Sequence, residues 1–177
     1  MIYVTSDLHF CHDKDFVYLP RGFSSVKDMS ETIVHRWNAI IAPQDTVYLL
    51  GDVMLYDDDM GIGYLKSLNG NIYIICGNHD TSERQKKFVK CPNVMGVSYA
   101  DCIRYGNYRF YMSHYPTITS NIKKDLNKVF NLHGHTHSPF KFNDVYPYMY
   151  NVSMDAHYCV PVSIVKIIED IKEKWKS

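Results

Sequence analysis

The chain has 177 residues, of which 46% are hydrophobic and 21% are charged, and its formal net charge is +0. This length and composition predict one globular domain over residues 1–177 and give no sign of a disordered tail or a repeat array. A neutral total argues against the broad basic surface of many nucleic-acid-binding proteins, but it leaves room for a local basic patch.

The cysteines and the first residues of the chain allow an expectation about its cellular compartment. The five cysteines are odd in number and show no C-x-x-C spacing. They predict neither a disulfide framework nor a thiolate zinc site, and buried thiols in a reducing compartment are the simpler interpretation. The chain opens on an apolar stretch at Met1 without a basic flank or a long apolar segment. We therefore expect no signal peptide, no membrane partner and a cytoplasmic location.

The first half of the chain alternates strand and helix signals. Apolar runs bounded by turn residues predict strands at 2–6, 46–50 and 71–76. Ser25 and Asp28 resemble a capping box, and the apolar spacing after them predicts a helix to about Ala42. Three consecutive carboxylates at 57–59 resemble the acidic first turn of a helix more than a metal cluster. Ser82 is predicted to cap a further helix over 83–90.

The second half has mostly hairpin-like signals. Short strands are predicted at 97–99, 102–105, 108–112, 129–132, 141–143 and 148–152. A short helical piece is predicted at 122–128, and a last helix begins near Ser163. Together the two halves predict an α/β fold with two stacked mixed β-sheets flanked by helices, a four-layer α/β/β/α sandwich.

Potential metal ligands follow several of the apolar runs. Asp52 ends the run at 46–50 without a nearby lysine or arginine, and a carboxylate placed there is costly unless a cation meets it. Asp7 and His9 lie on the loop after the first strand, one residue apart, so that both can face one ion. The other candidate ligands follow later strands and are Asn78, His114, His135 and His137.

These motifs, in this order, resemble those of the calcineurin-like metallophosphoesterases. They are Asp7-x-His9, Gly51-Asp52, Gly77-Asn78-His79-Asp80, His114 and Gly134-His135-x-His137. The resemblance covers nearly the whole chain and is closest to the small single-domain bacterial and phage members. It implies a first metal held by Asp7, His9, Asp52 and His137. It implies a second metal held by Asp52, Asn78, His114 and His135, so that Asp52 bridges the two ions.

The resemblance also implies a reaction. A dinuclear site about 3.5–4 Å across can hold a bridging hydroxide that attacks a phosphate mono- or diester. Nitrogen and carboxylate ligands without thiolate suit manganese, iron, zinc, cobalt or nickel better than calcium or magnesium alone, and we expect manganese first. His79 would donate a proton to the leaving oxygen or a hydrogen bond to the phosphoryl group, and Asp80 would orient the His79 ring. The expected partner is a phosphate ester, either a small molecule or a nucleotide.

Two other functions compete with this one. A non-catalytic scaffold with the same fold, as in the retromer subunit, usually loses the catalytic histidine or a ligand, and this chain retains them. His133 extends the last motif to His-x-His-x-His, as in metallo-β-lactamase-like hydrolases, but the expected Asp-His does not follow. We expect His133 to be a strand residue or a residue behind the ligands.

Substrate selection is expected to depend on the loops at 13–24, 56–59 and 115–121. Within or near them, three residues are candidates for contact with substrate. His12 is either such a residue or a polar loop residue, and Arg21 either binds a phosphate or lies on the surface. His157 either reaches the cleft or is a loop histidine without a function.

Overall fold

A computed structural model describes residues 1–119 and 129–176 of the chain. The strands are β1 (Ile2–Thr5), β2 (Thr46–Leu49), β3 (Asn71–Ile75), β4 (Val94–Ser98), β5 (Ala100–Tyr105), β6 (Tyr108–Ser113), β7 (Val129–His133), β8 (Met149–Asn151) and β9 (Val162–Ser163). The helices are α1 (Asp15–Tyr18), α2 (Val26–Ile40), α3 (Asp58–Lys66), α4 (Ser82–Phe88) and α5 (Ile164–Lys174). Among the described residues, no helix combines the length and apolar character that a membrane crossing requires.

The strands form two mixed sheets, which confirms the predicted fold class. The first sheet has the order β4-β3-β2-β1-β9, in which β9 is antiparallel to β1 and the other pairs are parallel. The second has the order β5-β6-β7-β8 and joins an antiparallel hairpin to two parallel pairs. Because β1, β2 and β3 run parallel, their carboxyl ends lie at one edge of the first sheet.

Alternate residues of the strands divide the protein into two cores. Val47 and Leu49 of β2 pack against α2, whose Met29, Ile33 and Trp37 recur every four residues and are fully buried. Leu50, one residue beyond Leu49, belongs to the other core. That core combines residues of both sheets with helix α5: Val4, Leu50, Ile75, Phe110, Met112, Phe130, Leu132, Ile164, Ile167 and Ile171. The two sheets are therefore stacked, as predicted.

The capping residues explain where the helices begin. The Ser25 hydroxyl accepts a hydrogen bond from the Asp28 N–H, as the capping box predicts. The Asp57 carboxylate accepts one from the Met60 N–H at 2.9 Å, so the carboxylates at 57–59 do begin a helix. The predicted cap of α4 is wrong by one residue, because Thr81 and not Ser82 accepts from the helix backbone.

Three other predictions differ from the structure or fall outside it. The strand at 141–143 is wrong, because only Phe142 pairs there, in an isolated bridge with Tyr150. The Asn143 side chain instead accepts hydrogen bonds from the N–H groups of Val145 and Tyr146 and turns the chain. The short elements α1 and β9 had no prediction. The helical piece at 122–128 and part of the loop at 115–121 lie outside the described residues.

Candidate metal centre

The predicted ligands lie where the strands of both sheets end. Asp7, Asp52 and Asn78 follow β1, β2 and β3, His114 follows β6, and His135 and His137 follow β7. Backbone hydrogen bonds join these loops to one another: the Asp7 N–H donates to the Gly51 carbonyl at 2.9 Å. The Gly134 N–H donates to the His114 carbonyl at 3.0 Å. The loops therefore form one connected surface at the edge of the two sheets.

Two glycines allow these loops to approach so closely. A Cβ atom at Gly77 would collide with the Asp52 carboxylate, and one at Gly134 would collide with Ser6 Oγ and the Asp7 carboxylate. The space behind the carboxylates is filled by backbone, and any larger residue would displace them.

The backbone of the candidate ligands is strained. Five of them have positive φ values, in the left-handed region that residues other than glycine rarely occupy. These are Asp7 (59°), His9 (52°), Asp52 (53°), His135 (68°) and His137 (49°). Each such residue costs on the order of 1 kcal/mol, and strain of this kind gathers at functional sites. Five strained residues around one point indicate that the fold holds these side chains in place.

The first group of candidate ligands consists of Asp7, His9 and His137, and one ligand atom of each lies within 4.8 Å of the others. His9 Nε2 and His137 Nε2 are 3.2 Å apart. The Asp7 carboxylate oxygen Oδ1 lies 3.8 Å from His9 Nε2 and 3.9 Å from His137 Nε2. Asp7 is fully buried.

The second group consists of Asp52, His114 and His135, with the same mutual limit of 4.8 Å. His114 Nε2 lies 3.5 Å from Asp52 Oδ2 and 3.2 Å from His135 Nδ1. The Asn78 side-chain oxygen is 3.0 Å from His114 Nε2 and completes the set. Asp52 Oδ2 also lies 3.8 Å from His9 Nε2, so this carboxylate stands between the two groups.

The protonation pattern indicates that cations fit both groups. His114 Nδ1 donates to the Leu50 carbonyl at 2.8 Å, which leaves Nε2 without a proton in the neutral ring. That lone pair faces the oxygen atoms of Asp52 and Asn78, which are acceptors as well. In the first group, His137 Nδ1 faces the Asp155 carboxylate at 3.0 Å, and in the neutral ring Nε2 is then likewise an acceptor. Acceptors that face acceptors repel one another unless a cation lies between them.

Asp155 and Arg21 stand behind the first group. The Arg21 guanidinium donates to both Asp155 oxygens, at 2.9 and 2.8 Å, and to the Asp7 carbonyl at 3.0 Å. Burial alone would raise the pKa of Asp155, but the hydrogen bonds from His137 and Arg21 hold that pKa well below its ordinary value. An ionised Asp155 thus orients His137. The prediction that Arg21 contacts substrate or lies on the surface is wrong, because only 1% of its side chain is exposed.

Asp80 does not orient the His79 ring, contrary to prediction. Its Oδ2 accepts hydrogen bonds from the backbone N–H groups of Asp52 and Gly77, both at 2.8 Å, and its Oδ1 accepts from that of Val53 at 3.1 Å. The carboxylate therefore joins the loop after β2 to the loop after β3. Its effect on the candidate ligands passes through the backbone of Asp52.

His79 lies on the open side of the site. Its backbone N–H donates to Asp52 Oδ1 at 2.9 Å, and its ring Nε2 lies 3.9 Å from Asp52 Oδ2. The side chain is 39% exposed, whereas that of His114 is 1% exposed. The Arg84 guanidinium donates to the His79 carbonyl at 2.6 Å and to Asp58 of α3 at 2.7 Å. The backbone of His79 is fixed while its ring faces solvent.

Of three further histidines near these loops, one joins the site and two do not. His12 Nδ1 lies 3.1 Å from His9 Nδ1, so His12 belongs beside the metal centre. His133 is a buried strand residue whose Nδ1 contacts the Gly134 carbonyl at 2.9 Å. His157 Nε2 contacts the Asn151 carbonyl at 2.9 Å, and its ring packs on Tyr150. These contacts hold His157 in place without a contact to the candidate ligands.

Burial shifts the pKa values of two members of the first group. It raises the pKa of Asp7 and lowers the pKa of His9 well below the ordinary value, because both side chains are removed from water. The third member, His137, has a raised pKa, chiefly because its Nδ1 is hydrogen-bonded to the Asp155 carboxylate.

Sequence reasoning missed Asp155 as part of the site. Asp155 lies near the candidate ligands because Ser6, after β1, pairs with Ser153 in a parallel bridge. The available signal was Asp155-Ala156-His157 itself, in which a carboxylate follows a predicted strand. The interpretation of that motif considered only its histidine.

Known proteins resemble this chain along most of its length. The model of the calcineurin-like phosphoesterase superfamily domain matches residues 1–152. An uncharacterized protein of Methanocaldococcus jannaschii is 34% identical over 179 residues, which cover 95% of this chain and 91% of that protein.

Two solved structures share the fold. A protein of unknown function from Aquifex aeolicus superposes with a TM-score of 0.70 at 21% identity and covers 96% of this chain and 98% of its own. A phosphoesterase from E. coli superposes with a TM-score of 0.54 at 15% identity and covers 86% of this chain and 77% of its own.

Proposed function

The chain belongs to the calcineurin-like phosphoesterase superfamily, and on that premise we propose that it is a phosphoesterase that depends on two divalent metal ions and hydrolyses a phosphate mono- or diester. The single observation that carries this proposal is the Asp52 carboxylate, which lies within 3.8 Å of His9 Nε2 in one group and 3.5 Å of His114 Nε2 in the other. A carboxylate between two sets of acceptors is suited to hold two cations.

We assign the ligands by group. Asp7, His9, Asp52 and His137 would hold one ion, and Asp52, Asn78, His114 and His135 would hold the other. Bound divalent ions would supply Lewis acidity toward the phosphate and would lower the pKa of a water molecule to near neutrality. Imidazole and carboxylate ligands without thiolate suit manganese, iron, zinc, cobalt or nickel, of which we expect manganese first.

We assign His79 as the residue that acts on the leaving group. Its ring is exposed and lies beside Asp52, so it can hydrogen-bond to a phosphoryl oxygen or give a proton to the leaving oxygen. Asp80 fixes the backbone between the ligands and is therefore a positioning residue.

The test separates metal binding from turnover. We expect His79→Ala to retain both metals and to lose about 10²- to 10⁴-fold in kcat, the contribution of one positioned proton donor. We expect Asp52→Asn to lose bound metal as well. The measurements are metal content after dialysis and hydrolysis of p-nitrophenyl phosphate and its bis ester with Mn²⁺, Zn²⁺, Fe²⁺, Co²⁺ and Ni²⁺.

Replacement of the exposed His35 on α2 by alanine is the matched control, which should keep both metal content and turnover. An unaltered rate in His79→Ala would contradict the role of His79. A metal-loaded parent protein that hydrolyses no ester would favour the scaffold function instead.

A further inference from the structure

Phe16 and Tyr56 are exposed aromatic side chains beside His12, and a third, Tyr115, is 50% exposed and packs on His114 and His135 of the second ligand group. Phe16 is 72% exposed and Tyr56 is 60% exposed. They lie in two of the three loops in which substrate selection was expected. Apolar rings left in water next to a cluster of polar groups are characteristic of ligand sites, because a bound ligand would cover them.

His12 connects these rings to the metal ligands. Its ring centre lies 5.8 Å from that of Phe16 and 5.4 Å from that of Tyr56, with interplanar angles of 88° and 78°. On its other side, His12 lies 5.0 Å from His9 and 6.0 Å from His79. Phe16 and Tyr56 are thus one ring away from the groups that would act on the phosphate.

The fold holds Tyr56 in a position that costs energy. Its φ is +63°, which a residue other than glycine adopts only when its surroundings impose it. Hydrogen bonds on both sides fix it: the Leu55 N–H donates to the Phe10 carbonyl, and the Asp57 N–H donates to the Leu55 carbonyl, both at 2.9 Å. The Lys14 ammonium lies 5.7 Å from the centre of the Tyr56 ring and keeps a cation at its face.

We propose that Phe16 and Tyr56 form a stacking site for the nucleobase of the substrate, so that the ester hydrolysed at the metal centre is a nucleoside phosphate. This inference rests on the proposed function. A nucleobase presents a π-face to such rings and polar edges to His12 and Lys14. An acyl chain would require a continuous apolar surface, which His12 and Lys14 interrupt here.

Binding gives the first test, because it does not depend on turnover. The probes are adenosine 5′-monophosphate and ribose 5-phosphate, which differ in the base, each titrated by calorimetry into Mn²⁺-loaded protein that carries His79→Ala, the parent of this test, so that the probes are not hydrolysed. We expect the parent to bind the adenosine compound more tightly. Tyr56→Ala and Phe16→Ala should each weaken that binding by about five- to a hundredfold, the range for the loss of one base–aromatic stack. Neither should change the affinity for ribose 5-phosphate.

Three further variants sharpen the result. Tyr56→Phe keeps the ring and should keep the affinity, whereas Phe16→Leu keeps apolar volume and should lose it. Tyr158→Ala is the matched control, because Tyr158 is 87% exposed and lines a groove with Met1 and Tyr3, at the start of β1. It should leave both affinities unchanged.

Kinetics give the second test. Adenosine 2′,3′-cyclic phosphate and methyl riboside 2′,3′-cyclic phosphate share the scissile group, and we expect Tyr56→Ala to raise KM for the first alone while kcat changes little. Equal affinity of the parent for the two 5′-phosphates would overturn the inference, even if both cyclic esters are hydrolysed. A protein with His79 intact that hydrolyses neither ester, while its His79→Ala form prefers the adenosine compound in calorimetry, would contradict the proposed reaction and support the base site.

Discussion

Arg21 and Asp155 form an ion pair that the fold encloses next to a candidate ligand. Removal of two charges from water is costly, and a pair of this kind is retained where its geometry serves another purpose. Here Asp155 accepts hydrogen bonds from Arg21 with both oxygens, and its Oδ2 also lies 3.0 Å from His137 Nδ1. The pair fixes which nitrogen of His137 faces the metal centre.

We predict that Asp155→Asn weakens both folding and metal binding. The amide leaves the Arg21 charge buried without a full partner, which should cost about 3–5 kcal/mol in the free energy of unfolding. Loss of the residue that orients a ligand should weaken metal affinity about 10- to 100-fold. Urea unfolding and Mn²⁺ titration measure the two effects. Asp59→Asn, at a carboxylate that is 99% exposed, is the control.

The double variant Arg21→Met with Asp155→Asn separates the two contributions. Without the buried charge, stability should recover in part, while metal affinity should stay low because His137 remains without its carboxylate. Recovery of full metal affinity in the double variant would show that Asp155 does not orient His137.

Asp80 permits a second prediction at this scale. Asp80→Asn replaces a carboxylate oxygen with an NH₂ group that would face the N–H of Asp52, Gly77 or Val53. We expect a loss of about 2–3 kcal/mol in the free energy of unfolding, since a buried donor is left unsatisfied. At saturating metal, kcat should fall less than it does in His79→Ala. An equal fall in both variants would restore the ring-orienting role that the sequence predicted.

The identity of the candidate ligands could be predicted from the sequence, whereas the buried residues that hold the ligands in place could not. Asp52 and His114 each follow an apolar run, so their place at a strand end is a local property. The enclosure of Arg21 and the three backbone donors to Asp80 depend on loops that are far apart along the chain. Only the packing of those loops decides whether a charged side chain faces solvent, substrate or backbone.

At the scale of elements, the loop after β7 packs directly against the loop after β1, because Gly134 has no side chain to separate them. We predict that Gly134→Ala lowers metal affinity by at least about tenfold, because its Cβ would displace Ser6 and the Asp7 carboxylate. Overpacking of this kind should also cost about 1–3 kcal/mol in stability. Metal titration and thermal unfolding provide the measurements.

Gly63→Ala on helix α3 is the matched control. A Cβ there meets nothing within 4 Å, so the same substitution should stabilise the helix by about 0.5–1 kcal/mol and leave metal binding unchanged. If both alanines behaved alike, the close contact at Gly134 would have no energetic consequence.

The strands and helices could be predicted where the buried apolar residues recur with the spacing of a strand or a helix. The apolar runs of β2 and β3 and the four-residue spacing in α2 belong to structures that bury those residues. The strand predicted at 141–143 failed because side-chain hydrogen bonds of Asn143 turn the chain. The strand β9 had no prediction because two residues, paired with β1, are too few to show an alternating apolar pattern.

At the scale of the whole molecule, α5 lies beyond the residues that the family model matches, yet it shares the core between the sheets. Ile164, Ile167 and Ile171 of α5 pack with Val4 of β1 and Phe130 of β7. A hydrogen bond of 2.7 Å from the Tyr150 hydroxyl to Asp170 ties the helix to β8. The helix therefore belongs to the core that the two sheets share, and a single domain over the chain stays our prediction.

The half-buried His157 beside this core makes global stability depend on pH. Burial lowers the pKa of His157 to about 4. The hydrogen bond to the Asn151 carbonyl has the opposite, smaller effect, because it favours the charged ring. In the unfolded chain the ordinary value is about 6.5. The unfolded state therefore binds the proton first, so the stability that His157 contributes is complete above about pH 6.5 and is lost as pH falls toward 4.

We predict that His157→Gln makes the protein less sensitive to acid. The parent should lose about 2 kcal/mol in the free energy of unfolding through this residue between pH 7 and pH 5, whereas glutamine keeps a donor for Asn151 and has no such titration. Urea unfolding at the two pH values measures the difference, and other groups cancel because they titrate in both proteins. His35→Gln, at an exposed position, should show the parent's full loss. An equal loss in His157→Gln and the parent would mean that His157 takes up its proton in the folded state as readily as in the unfolded one.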